Sequence, residues 1–266
     1  MNLSTAMPFS TGLALMILAE ITFVFSLLFI CFIPVSRYAV NRARTGKLVD
    51  GVNAPLPIRL PSLTGGFFAF SVLWLLFLQS PLYFLVVPVG LSFYLLESGK
   101  NWSEQFGLQR LPAATLAKWI LLICGAVIFI EIPLDQIVQI ALDATNLPHP
   151  EEESVITFRH FHKAGKILAF LLQAVVIAPM FEELFFRGFL QTFLKNYTST
   201  WMALILSSGI FAFAHVNLGA AIQLWFLGLA LGIAYEHTGA LLLPIGIHGC
   251  FNLVTALNLL LDKATS

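Results

Sequence analysis

The chain has 266 residues, no net charge, 58% hydrophobic residues and only 11% charged ones, with a mean hydropathy of +0.87. Soluble domains carry about 45–50% apolar and about 25% charged residues, so a soluble globular fold is excluded. Zero net charge removes the electrostatic basis for a nucleic-acid partner. What remains is an all-α polytopic membrane protein in contact with membrane lipid. Cys31, Cys124 and Cys250 all lie in apolar runs without CxxC spacing, and they read as small hydrophobes inside helices.

Residues 1–10 contain no Lys or Arg, and the apolar run that follows is too long for the core of a signal peptide. It reads as a first span, Gly12 to Ile33, which holds a lone carboxylate, Glu20, and stops at Pro34. The interval 35–61 carries Arg37, Arg42, Arg44, Lys47 and Arg59 against Asp50, so the positive-inside rule makes it cytoplasmic and puts the N-terminus outside. An apolar stretch from Leu63 to Glu97 is broken by Gln79-Ser80-Pro81. The interval 98–115 holds Lys100 and Arg110 and also looks cytoplasmic. The stretch is therefore two short spans, 63–78 and 82–97. A fourth span covers Leu116 to Ile132 and ends at Pro133.

The interval 135–162 contains Glu151, Glu152 and Glu153 together with His149, His160 and His162. No helical register joins these histidines to a carboxylate, so it reads as a solvated, partly amphipathic outer loop rather than a metal site. Spans five to eight follow at Gly165–Leu194, Trp201–His215, Ala220–Tyr235 and Leu241–Leu261. The expected architecture is a bundle of about eight transmembrane helices with both termini outside. Gly228 and Gly232 form a small-xxx-small seam suited to tight helix packing. Within span five, Pro179 removes a backbone donor and is expected to kink the helix and leave a carbonyl unpaired, and Gly188 is expected to admit a neighbouring backbone.

Span five also holds Glu182, Glu183 and Arg187. Each ionisable group at the centre of a membrane helix costs about 2.5–3.5 kcal/mol on insertion scales, so three within six residues point to a functional site. Glu183 and Arg187 are four apart and share a face. Glu182 is rotated by about 100° and is free for another task. His215 stacks over Phe211, and His248 shares a face with Asn252. Phe181, Phe185 and Phe211 read as packing that excludes water. Counted from the nearest turns at about 1.5 Å per residue, Glu183 and His215 come to similar depths, whereas His248 is short by about two helical turns.

Two chemistries suit these groups. A carboxylate activates water as general base while histidine or asparagine stabilises the oxyanion. Alternatively, His215, His248 and one Glu make a three-ligand zinc set with an open water position.

The order Glu182-Glu183-x-x-x-Arg187, Phe211-x-x-x-His215, His248-x-x-x-Asn252 resembles the three-motif pattern of the CAAX-protease and bacteriocin-processing (CPBP, or Abi) intramembrane proteases. These are related to the Ras-converting CAAX prenyl endopeptidase. Asn101-Trp-Ser-Glu-Gln-Phe-Gly-Leu108 resembles the lead-in to that domain. The resemblance implies a core at 101–266 behind an N-terminal extension of about three spans, 1–100. It implies Glu182 as the water-activating carboxylate and His215 as its partner on the water or metal. His248 and Asn252 would bind the metal or the oxyanion, with Glu183 and Arg187 in support. Zinc is the implied metal, held by Glu182, His215 and His248, although the family is also described as metal-independent. The implied substrate is a membrane-associated peptide or protein, reached from the cytoplasmic side of the plasma (inner) membrane. Two other classes compete. A non-catalytic scaffold or bacteriocin self-immunity factor would use the fold for binding alone. An ion-coupled transporter would favour discontinuous helices in paired halves, and no such symmetry is present.

Overall fold

The computed structural model describes Ile58 and residues 62–108, 111–145, 153–161 and 163–265. The first predicted span with Glu20, the basic interval apart from Ile58, and His149 and His162 lie outside the described residues. Among the described residues the structure is all helix, with no strand.

Two short helices come first, α1 (Ser62–Phe77) and α2 (Tyr83–Ser98), separated by a turn at the Gln79-Ser80-Pro81 break. A small helix, α3 (Trp102–Phe106), follows. Asn101 caps it by accepting from the Glu104 N–H at 2.8 Å, and Gly107 closes it with φ 62°. Next come α4 (Ala113–Thr145), opened by Pro112, and α5 (Glu153–Arg159). A continuous helical run, α6 (Ala164–Leu194), carries the carboxylate cluster. The bundle ends with α7 (Thr200–Ala214), α8 (Ala221–Thr238) and α9 (Leu242–Thr265). Ser199 caps α7 through the Met202 N–H.

Helices α4, α6 and α9 are long and apolar enough to cross a bilayer. Their apolar windows are largely unburied, with only 6% of the α6 window inside the protein. Side chains such as Phe93, Leu96, Leu121 and Phe129 stand outward. An apolar surface of this kind needs lipid as its solvent, so the chain is an integral membrane protein. Helices α1 and α2, at 16 residues each, rise about 24 Å, short of the roughly 30 Å hydrocarbon core.

One predicted boundary is wrong. Pro133 does not end a helix: α4 runs through it for 33 residues, so residues 135–145 are helix rather than loop. Proline deletes one hydrogen bond of the ladder, and a long helix held by neighbours tolerates that loss. Gly188 also differs from expectation. The group pressed against it is the Phe106 ring, 3.0 Å from where a Cβ would stand, and not a backbone.

Packing is dominated by aromatic rings of α6. Phe185, Phe186, Phe189 and Phe193 are buried. Phe68 of α1 meets Phe189 edge-on at 4.8 Å, and Phe186 meets Phe211 of α7 at 5.2 Å. Inside a bilayer such close ring contacts, rather than exclusion of water, drive helix association. The Gly228/Gly232 seam is used as predicted. A Cβ on Gly228 would stand 3.1 Å from Ser208 Cβ of α7, and one on Gly232 would meet Leu204 and Gln191.

Candidate functional site

Helix α6 is not uniformly α. Two π-helical segments, Gln173–Ile177 and Leu184–Gln191, flank a short α stretch, Ala178–Glu183, that holds both carboxylates. Segments of this kind frequently accompany functional sites. The first has a sequence cause. The Ala178 N–H donates to Gln173 O, five residues back, and so passes over Ala174. The π-type donor to Ala174 O would be Pro179, which has no N–H. Pro179 thus frees a carbonyl, as expected, but does not leave it unpaired: Asn252 Nδ2 donates to Ala174 O at 2.8 Å. Beside it, the Val175 carbonyl faces Gly249, where a Cβ would come within 2.5 Å of the oxygen. Helix α9 can therefore lie this close to α6 only with glycine at 249.

That approach brings His248 to the cluster. Glu183 Oε1 accepts from Arg187 Nη1 at 2.8 Å and lies 2.9 Å from His248 Nδ1, with Glu183 and Arg187 wholly buried. Arg187 also donates to Gly228 O at 3.0 Å, and its guanidinium carbon lies 4.5 Å from the Phe211 ring centre. Phe211 is thus a cation–π partner as well as packing. His215, one residue past the end of α7, turns Nδ1 toward Phe211 O at 2.8 Å. Its ring meets the Phe211 ring edge-on at 4.8 Å and 64°, rather than stacking on it as predicted.

The expected two-turn depth mismatch of His248 does not arise. The turn before α9 is not at the protein surface. Ala240 and Leu241 are each 1% exposed, and the Leu241 N–H donates to Phe106 O at 3.0 Å, so α3 roofs this turn. Starting deeper, α9 reaches the cluster within a few residues.

The tautomers follow from the partners. A carbonyl only accepts, so His215 Nδ1 carries its proton and Nε2 offers a lone pair. An ionised Glu183 imposes the same state on His248. Both Nε2 atoms lie 3.9 Å from Glu182 Oε2. Three acceptors therefore face one small space, large enough for a shared water. All three residues and Asn252 line a cavity of about 700 Å³.

The residue types suit zinc. Two ligands at about 2.0–2.1 Å from a tetrahedral ion stand about 3.3 Å apart, somewhat closer than these pairs. Among the described residues no three ligating side chains are already drawn together around an ion position. Small side-chain rotations would close the gap, and Glu183 behind His248 supplies the orienting carboxylate that metal-bound histidines normally have.

Residues 164–254 match the family described as type II CAAX prenyl endopeptidase Rce1-like. This segment is therefore similar to the CAAX protease family. It contains all seven motif residues from Glu182 to Asn252, and the cavity lies partly within it. An uncharacterised 24.3 kDa protein of Escherichia coli is 34% identical over 87 residues, an alignment covering 31% of this chain and 40% of that protein. No solved structure matches the chain.

The cavity extends beyond the CAAX-protease segment to residues that sequence reasoning missed. Glu131, Asp135 and Gln136 of α4 line it, as do Gln173 and Gln223. Glu131 falls near the end of the fourth predicted span, Leu116 to Ile132, which gives it no role of its own. The available signal was its i,i+4 spacing from Asp135 inside an apolar helix. His160, by contrast, bonds locally to Ile156 O at 2.7 Å and stays outside the lining.

Proposed function

We propose that this protein is an intramembrane endopeptidase hydrolysing a peptide bond of a membrane-associated, CAAX-like substrate. The supporting observation is the convergence of Glu182 Oε2, His215 Nε2 and His248 Nε2, each pair with Glu182 at 3.9 Å, on one wall of a cavity inside an apolar bundle. A water held there can donate its two protons to two of these acceptors, Glu182 and one histidine. Glu182 removes one proton as the oxygen bonds to the scissile carbonyl carbon. Asn252 keeps one amide N–H on Ala174 O and has a second for the developing oxyanion. Collapse breaks the C–N bond, and the proton taken by Glu182 passes to the leaving amine. Glu183 and Arg187 touch no reacting atom: Arg187 pairs with Glu183, and Glu183 fixes the His248 ring. Zinc, when bound by Glu182, His215 and His248, would supply a water ionising near neutral pH.

The bundle in this reading has eight spans in the plasma (inner) membrane: 12–33, α1, α2, α4, α6, α7, α8 and α9. The family resemblance supports a cytoplasmic mouth. The charge distribution argues the reverse. With 35–61 inside and α1, α2 and α4 all crossing, the part of the cavity lined by Val155, Asn258 and Leu259 lies toward the outside. Labelling of single cysteines at Asn258 and Tyr197 with an impermeant reagent separates the two. Protection at 258 with labelling at 197 supports the cytoplasmic mouth, and the opposite pattern overturns it.

The activity is tested in lipid nanodiscs with lipidated reporter peptides. Glu182→Gln should lower cleavage by about 10²–10⁴-fold, the usual worth of a positioned base, with unchanged thermal unfolding. A fully active Glu182→Gln protein overturns the proposal and leaves the scaffold or immunity-factor reading.

A further inference from the structure

Part of the cavity lining is acidic and unsatisfied. Glu131 is 7% exposed, and neither of its carboxylate oxygens has a hydrogen-bond partner. A buried carboxylate left so is costly, and retaining one calls for a reason. One turn on, Asp135 accepts from Gln223 Nε2 at 3.0 Å and from Gln139 Nε2 at 3.3 Å. Gln223 thereby leaves its own oxygen, Oε1, buried and unpartnered. The described lining holds three carboxylates, Glu131, Asp135 and Glu182, and no lysine or arginine. Arg187, the buried cation nearby in sequence to Glu182, is committed to Glu183 and Gly228.

The buried unsatisfied atoms of this part of the lining are acceptors: two oxygens of Glu131 and one of Gln223. The complementary ligand is a cation with several N–H donors. An inorganic ion suits it less well, because calcium takes six to eight oxygen ligands and magnesium a near-octahedral shell. No group of three His, Cys, Asp or Glu suited to holding an ion is present among the described residues. The cavity of about 700 Å³ is lined by both Glu131 and Glu182, with room for a few residues of extended peptide.

We propose that Glu131, supported by Asp135 and Gln223, is a specificity subsite for a lysine or arginine side chain of the peptide substrate. Its place in a substrate channel rests on the endopeptidase reading above. Its affinity for a basic side chain does not depend on cleavage. A charge-assisted contact with Glu131 would orient the peptide so that the bond to be cut lies at Glu182.

The test separates the two claims. The full chain is placed in nanodiscs with a series of fluorescent peptides carrying one alkylated cysteine, in which Lys, Gln or Glu is moved along successive positions. Binding is read by anisotropy on the Glu182→Gln protein, where turnover is not needed. At one position the Lys peptide should bind at least tenfold more tightly than its Gln counterpart. Adding Glu131→Gln should shrink that ratio below twofold, and Glu131→Lys should favour the Glu peptide instead. Glu131→Asp, which keeps the charge, should retain part of the preference, and size-exclusion profiles verify that the variants fold. A Lys-to-Gln ratio near one at every position, or one unmoved by Glu131→Gln, overturns the subsite. If the ratio responds to Glu131 while the otherwise native protein cleaves none of the peptides, the subsite stands and the endopeptidase reading falls.

Discussion

His248 Nδ1 lies 2.9 Å from Oε1 of Glu183, the oxygen that Arg187 also reaches from one helical turn away. The contact joins α9 to α6 at full burial and determines which nitrogen of His248 faces the cavity. Removing one partner of a buried ion pair leaves an uncompensated charge, which costs about 3–5 kcal/mol. Arg187→Ala and Glu183→Ala should each destabilise the protein by about that much in detergent unfolding. The double variant should be less unstable than the two single losses added together.

Metal uptake provides a second check. If Glu182, His215 and His248 act as ligands, the purified protein should bind about one equivalent of zinc by titration calorimetry. His215→Ala and His248→Ala should abolish that uptake. Glu183→Gln, which alters the group behind His248 together with the Arg187 pair, should weaken it about 10–100-fold. Absence of uptake by the unsubstituted protein would assign water activation to Glu182 alone.

The freed Ala174 carbonyl makes Asn252 structural as well as chemical. Asn252→Ala leaves that oxygen without its donor, at a cost of about 1–3 kcal/mol, while also removing the proposed oxyanion donor. Asn252→Leu should do the same. Both variants should therefore show lowered unfolding temperature and lowered kcat. Loss of kcat with no change in stability would mean that the Ala174 contact carries no weight.

Gly249→Ala tests the close helix approach. The added methyl would stand 2.5 Å from Val175 O, so α9 must move outward. Overpacking typically costs about 1–3 kcal/mol. Because His248 is the adjacent residue, cleavage should fall further than stability does. Gly232→Ala, crowded by Leu204 and Gln191 on the seam between α7 and α8, should cost comparable stability with a smaller effect on cleavage.

Most of the helices were legible because a bilayer imposes long apolar runs. The break at Gln79-Ser80-Pro81, the run 164–194 and the Gly228/Gly232 seam all needed only local rules. Pro133 misled because a local rule was overridden by a long helix that absorbs one lost hydrogen bond. The His248 depth estimate went astray for a different reason. It assumed that every turn reaches the surface, whereas the turn before α9 is covered by α3.

Residue identity alone determined that charged and imidazole groups stand inside the bundle, since burying them in lipid is too costly to be incidental. It also determined the Glu183–Arg187 pairing, because helical periodicity places residues four apart on one face. Only the tertiary structure decided that His215 and His248 both turn Nε2 toward Glu182, and that Glu131 opens into the same cavity. Those relations depend on how far α9 descends and which carbonyls α6 leaves free. These are properties of packed helices in three dimensions, and spacing along a single chain does not carry them.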